Sequence, residues 1–300
     1  GHEIYAIKER SPYSDELGLL DLRSGEFTKL WTEQDYTNYY AQDEISFEDG
    51  TSNKIFIPGD NGAPARLINL SNGSIERIDL GRDKAIGYCK STNEVILGSW
   101  SQGYGGTITA VNLTTKENRL VNKNVYGDAE PIGNSTATSR NGEELTILFF
   151  KGAGRSSASL TTINTISGES NTVQLYHDWR SAGYKVESIA SSSINNEVHA
   201  IWTDISSDKY IIGTINTQNG SFTPQQELNI HSNLRGGVFE VSRDGTAVIE
   251  TYGYEWPNIN GNTERQLDRW IISINLDNGE QKVQSRRDFE LIKGNFQHLT

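Results

Sequence analysis

Methionine is absent from this 300-residue chain, cysteine occurs once, and proline only six times. One cysteine excludes an internal disulfide, and with it every disulfide-stapled scaffold. Cys89 lies in the alternating run KAIGYCKS and is expected to pack as a small apolar residue. The missing initiator points to a processed or trimmed chain, with Gly1-His2 as a cloning remnant. No run approaches 18 apolar residues, which excludes a membrane-spanning helix. Basic runs are also missing, and the formal net charge is −12, so the chain lacks the clustered Lys and Arg that nucleic acid requires. Hydrophobic content is only 35%, and no stretch of twelve or more residues keeps a helical period, which excludes a helical bundle.

Turn residues are abundant instead, and they recur in one phrase. DLRSGE at 21 returns as NLSNGS at 69, NLTTKE at 112, NTISGE at 164, NTQNGS at 216 and NLDNGE at 275. The pattern is Asp or Asn (Thr or Leu often next), then a glycine four positions on, and only Lys116 breaks the glycine. The intervals of 48, 43, 52, 52 and 59 residues each fit four short strands with their turns. An apolar alternating segment precedes each copy and a more polar one follows. The glycine is expected to supply the positive φ of a two-residue hairpin.

A second hairpin type precedes each of these pairs, as in TATSRNGEELTILFF and FEVSRDGTAVIETYG. With strands named A to D in order, the chain starts in a B strand (HEIYAIKE) and ends in an A strand (FELIKGNFQHL). Pairing those ends would complete a first blade from both termini and remove the open edges. The fold expected is an all-β, six-bladed β-propeller, four antiparallel strands per blade, as a single domain over residues 1–300.

The segments VSRDGTAVIETYG and RWIISINLDNGE resemble the WD40-like repeat of TolB-type six-bladed propellers. The resemblance runs along essentially the whole chain; blade six carries the hairpin in its fullest form, and blade three has neither glycine. It implies a periplasmic or cell-surface propeller that binds other proteins or small ligands. A fold-level resemblance transfers no specific function.

On a propeller the A–B and C–D turns share one face, and the B–C and D–A connections share the other. The second set varies in length and is rich in aromatics, which makes it the expected binding face. The candidate ligand-binding residues are Tyr39, Trp100, Tyr104, Tyr126, His177, Trp179, Trp202, Arg235, Tyr254 and Trp256. Aromatic rings beside Asp, Asn and Arg suit a sugar's apolar face and hydroxyl edge, and they equally suit a protein interface. Part of these rings is expected to pack between blades instead.

The expected function is an exported, non-catalytic recognition module, a monomer with a glycan or protein ligand and no cofactor. The alternative is a carbohydrate-active enzyme, a glycoside hydrolase or polysaccharide lyase. Asp43, Glu130, Glu187 or Glu290 would then be acid or base at the top of the central channel, beside Lys84 or Arg235. No catalytic residue is assigned. His177 and His231 have no defined zinc-site spacing, and neither PGDNGAP nor PNINGNTE fits a calcium-ligand ladder, so no metal site is expected.

Overall fold

Each copy of the repeated phrase folds as the same turn, and it is longer than the two-residue hairpin expected from sequence. Four residues lie between the paired ends. The opening Asp or Asn donates its N–H to the carbonyl five residues on, as in Asp21 to Glu26 at 2.9 Å and Asn275 to Glu280 at 2.9 Å. The fifth residue donates back to the first carbonyl, as in Gly25 to Asp21 and Gly279 to Asn275, both at 2.8 Å. Meanwhile the Asp or Asn side chain caps the turn from inside: Asp21 Oδ1 accepts the N–H groups of Arg23 and Ser24 at 2.7 and 2.8 Å. Asn112, Asn164, Asn216 and Asn275 do the same. An Asx cap on a right-handed turn needs a left-handed residue to end it, as a helix does. Gly25, Gly73, Gly168, Gly220 and Gly279 supply it, and Lys116 adopts φ 63° in its place.

A computed structural model describes residues 3–11, 14–32, 46–49, 54–58, 64–81, 83–101, 105–125, 135–139, 141–151, 156–191, 197–207, 209–228, 239–242, 245–255, 266–285, 289–291 and 294–295. Around these turns the strands form six sheets. Blade one is β24 (Phe289–Leu291), β1 (Glu3–Ser11), β2 (Ser14–Asp21) and β3 (Phe27–Thr32), so both ends of the chain build it. Blade two is β4 (Ser46–Asp49), β5 (Lys54–Ile57), β6 (Ala65–Asn69) and β7 (Ile75–Ile78). Blade three is β8 (Lys84–Cys89), β9 (Glu94–Ser101), β10 (Gly105–Asn112) and β11 (Asn118–Val125). Blade four is β12 (Thr136–Thr138), β13 (Glu144–Lys151), β14 (Ser157–Asn164) and β15 (Ser170–Tyr176). A one-turn helix, α1 (Trp179–Ala182), then leads to blade five: β16 (Tyr184–Ser191), β17 (Val198–Asp204), β18 (Lys209–Ile215) and β19 (Phe222–Leu228). Blade six is β20 (Phe239–Val241), β21 (Thr246–Glu255), β22 (Gln266–Asn275) and β23 (Gln281–Ser285). The last strand, β25 (Gly294–Asn295), passes beyond the blade that β24 completes and pairs parallel with β4 of the next. Among the described residues no helix is long and apolar enough to cross a membrane.

The apolar core divides into six clusters, one at each blade-to-blade interface. Successive strand side chains point to opposite faces, so a middle strand feeds two clusters at once. Val95 and Leu97 pack toward blade two, whereas Ile96 between them packs toward blade four. That two-sided burial explains the unbroken apolar run LTILFF in β13, whose interior is buried throughout.

Polar clasps join the blades at the outer edge. A side chain from a fourth strand reaches onto the C–D turn of the next blade: Asn122 donates to Gly168 O at 2.8 Å, Gln226 to Leu276 O at 3.0 Å, and Lys282 to Arg23 O at 2.7 Å across the closure. Glu76 pairs with Lys116 in the same relation. The most elaborate clasp is Arg119, whose Nε and Nη2 donate to Glu94 Oε1 and Oε2 at 2.8 and 2.6 Å. Nη2 also reaches Thr165 O of blade four at 2.8 Å. The bidentate bond to Arg119 holds the Glu94 carboxyl below its ordinary 4.5, against the opposing effect of burial.

Glu94 is 7% exposed, and its replacement by Ala strands a charged guanidinium in the blade interface. Arg119 keeps solvent contact and its bond to Thr165 O, so the expected cost is about 1 to 2 kcal/mol at neutral pH, read as a lower urea midpoint. Because the folded value is depressed, the unfolded chain takes up the proton first as acid is added. The stabilisation is therefore complete above about pH 4.5 and is lost as pH falls through the folded value. The gap between wild type and Glu94→Ala should close accordingly in acid.

Candidate functional site

The two faces of the ring are built differently. On the A–B and C–D face, backbone bonds weld the two turns of one blade together: Leu113 donates to Asn93 O, Thr165 to Glu143 O and Leu276 to Gly245 O, at 2.8 to 2.9 Å. Those turns are occupied with holding the ring. The opposite face carries the B–C and D–A connections, and its best-described part lies between blades four and five.

There the sequence HDWRSAG, residues 177–183, forms a complete miniature helix. Asp178 caps its start, accepting Arg180 N at 3.1 Å and Ser181 Oγ at 3.3 Å. Gly183 ends it in the left-handed region at φ 79°, returning its N–H to Trp179 O at 3.0 Å. Both neighbouring B–C connections tie it down: Trp179 N donates to Ser156 O, and Ile205 N donates to Gly183 O, each at 3.0 Å. Aspartate before and glycine after four helical residues was the readable signal for this turn, which the search for long periodicity misses.

Beneath α1 runs an aromatic chain. Tyr176 meets Tyr184 edge-on at 5.7 Å, Tyr184 meets Phe222 at 5.1 Å, and Phe222 meets Trp202 at 4.8 Å. Tyr184 donates its hydroxyl to Leu175 O at 3.0 Å, and burial pushes its phenol pKa up. Trp179 is partly buried on top of this cluster. Its ring carries the guanidinium of Arg180, whose Cζ is 4.4 Å from the ring centroid. At the neighbouring turn, hydrogen bonds from Ser206 hold the Asp204 carboxyl below its usual range.

Of the residues singled out from sequence, Trp179 and His177 fall together here, with His177 exposed. Trp202 lies in the core beneath, 6% exposed, and its ring closes over Gly213 rather than facing solvent. Trp100, near the end of β9, is partly buried and lies across Gly98 and Gly106, where an added Cβ would fall 1.8 and 2.4 Å from the ring. It also tilts against Phe149 at 6.5 Å, so one ring face serves packing. Tyr254 is placed by its backbone in β21. Tyr39, Tyr104, Tyr126, Arg235 and Trp256 lie outside the described residues, as do Asp43, Glu130 and His231. Glu290 is placed by its backbone in β24, and Lys84 begins β8. Glu187 sits at a bulge in β16, bound by Lys185 Nζ at 2.9 and 3.2 Å and by Thr203 Oγ1 at 3.2 Å. Among the described residues no three His, Cys, Asp or Glu gather to hold a metal ion.

Six blades of four antiparallel strands in a ring define a six-bladed β-propeller. The propeller is TolB-like. The structure of a TolB described as putative, from Agrobacterium tumefaciens, superposes with a TM-score of 0.60 at 12% identity, covering 99% of this chain and 94% of that one. A puromycin hydrolase gives 0.59 at 10% identity over 94% of this chain but only 45% of its own. TolB from Acinetobacter baumannii gives 0.47 at 9% identity, over 93% and 67% of the two chains. Identities this low speak for the fold alone. No family model matches the chain, and no curated protein matches it.

Proposed function

We propose that these 300 residues form one propeller unit, exported to the periplasm or cell surface. It acts there as a monomeric, non-catalytic recognition module whose B–C and D–A face binds a glycan or a protein. The observation that carries this reading is α1, an irregular connection pinned by both flanking loops and presenting an aromatic ring with an arginine upon it. A rigid scaffold displaying such a group on one face is a binding design. The turns of the other face are consumed by blade-to-blade bonds. The TolB-like fold supplies the rigid ring and no more, since the same ring recurs in a TolB described as putative and within a puromycin hydrolase.

An enzymatic reading draws less support. Of the four carboxylates considered for acid–base work, Glu187 is the one whose side chain is described, and Lys185 already engages both of its oxygens. A catalytic pair needs a second carboxylate across an open cleft.

The test is a glycan array and a set of envelope proteins, screened with the wild type and Trp179→Ala. The expected result is a specific ligand whose binding falls at least about tenfold in the variant, that being the effect of losing a buried aromatic anchor. Thermal stability should fall by only a few degrees. Binding unchanged in Trp179→Ala would move the site elsewhere on the face, and silence against both libraries would count against a recognition role.

A further inference from the structure

We propose that Arg180, stacked on Trp179, is the receptor for the carboxylate of an acidic glycan, so that the ligand of this face carries uronic acid residues. This rests on the reading of the face as a recognition surface and assigns its chemistry.

Trp179 by itself would suggest stacking on a neutral sugar, but its geometry argues otherwise. The inward side of the indole packs on the cluster between blades four and five. Arg180 lies over the ring with its guanidinium carbon 4.4 Å from the centroid. What this point of the surface offers to solvent is therefore a cation lying over the ring. A guanidinium engaged through its face by an aromatic ring keeps its N–H groups available, as a forked donor that matches a carboxylate.

Arg180 is exposed, and among the described residues its side chain makes no ion pair and no hydrogen bond. The nearest carboxylate in sequence, Asp178, is occupied with capping α1. Acidic residues outnumber basic ones by 39 to 27, so an arginine with no ion pair among the described residues calls for a reason. Its own N–H is held by the Asp178 cap, and the turn of α1 around it is held by Gly183 N on Trp179 O, Trp179 N on Ser156 O and Ile205 N on Gly183 O. The backbone that carries the receptor is thus ordered in folding rather than at binding.

The surroundings favour a sugar over a peptide. The neighbours of the pair are polar: His177 is exposed, Ser181 follows Arg180 in α1, and Ser156 accepts Trp179 N at its carbonyl. A protein interface would set the Trp179–Arg180 pair among further exposed apolar side chains, since the core of such a patch is apolar. Among the described residues the exposed large apolar side chains are Ile75, Leu120, Ile166 and Val283. These lie on outer strands and on a C–D turn, away from α1 and the loops that hold it.

The decisive experiment is calorimetric titration of the 300-residue protein with tetramers of galacturonate, glucuronate and mannuronate. Their methyl esters, neutral tetramers of the same length and a glutamate-rich peptide are run alongside. At least one uronate tetramer should bind, with affinity falling as salt is raised. Its methyl ester should bind about ten- to a hundredfold more weakly, the size expected from losing a charged hydrogen-bonded pair. Arg180→Gln should reproduce that loss and Arg180→Lys much of it, with Tm unchanged in both. If esters or neutral tetramers bind as well as the acids, or Arg180→Gln leaves uronate affinity intact, the assignment to Arg180 is overturned while the recognition reading stands. Preference for the peptide overturns the glycan assignment. Binding to nothing in the panel overturns the uronate inference and removes the sugar arm of the broader reading.

Discussion

A chain ended at Ser285 is expected to lose its cooperative unfolding transition and to self-associate. The deletion removes β24 and β25, which are short but irreplaceable. Three residue pairs join β24 to β1, Ala6 with Leu291, Ile7 with Glu290 and Lys8 with Phe289, and two more join β25 to β4. Without them the inner edge of β1 is an unpaired strand, which is a template for another chain. Tyr5 and Ala6 lie on that strand and belong to the clusters on either side of blade one, so both interfaces lose cover together. The lost backbone bonds contribute about 1 kcal/mol each. Adding the opened interfaces brings the expected loss to more than about 5 kcal/mol, comparable with the whole stability of many domains. Size-exclusion chromatography and a thermal melt by circular dichroism read the result directly. A truncated chain that stayed monomeric and melted at the wild-type temperature would show that the ring holds without its seam. A synthetic peptide of residues 286–300 should restore the transition if the seam is the cause.

The architecture was legible in the sequence because one turn is written six times and the termini complement one another. Even its exceptions were readable. Blade three lacks both turn glycines, and among the described residues the two non-glycine positions with positive φ are Asn93 and Lys116, both in that blade. The length of the turn was not legible, because Asx followed by Gly four residues later suits several hairpin closures. The two N–H groups capped by the Asx oxygen decide for the longer one. The clasps were hidden for a different reason. Arg119 and Thr165, or Lys282 and Arg23, are neighbours only because the ring brings consecutive repeats side by side. Nothing local marks either residue. At the candidate site, aromatic enrichment pointed to Trp179 and equally to Trp202, although one caps the surface and the other fills the core. Periodicity cannot separate them, since strands buried on both faces hide rings as readily as loops display them. Arg180, the residue that gives the site its charge, carried no sequence signal beyond its place after Trp179.

Replacing Gly142 by Ala is expected to cost about 3 to 4 kcal/mol, far more than the same change at Gly81, and the comparison separates two effects usually confounded. Both glycines have positive φ, 74° at Gly142 and 67° at Gly81, so each alanine meets the left-handed penalty of about 1 to 2 kcal/mol. Their surroundings differ. No atom lies within 4 Å of the Cβ position at Gly81. At Gly142 the new carbon would fall 1.8 Å from Tyr88 O and 2.6 Å from Cys89 Cα, and these are backbone atoms that no rotamer change can move aside. The turn cannot withdraw either. Lys90 N of the neighbouring blade donates to Asn141 O at 2.9 Å, and Thr165 Oγ1 donates to Gly142 O at 2.8 Å from the C–D turn of its own blade. An alanine must break one of these bonds or push blades three and four apart, which adds about 1 to 3 kcal/mol of overpacking. Urea titrations of both variants measure the difference, and unchanged slopes would confirm that the unfolded states are alike. Equal losses at the two positions would mean that the blades yield freely at this contact, and that the close approach of turn to strand is not what sets their spacing.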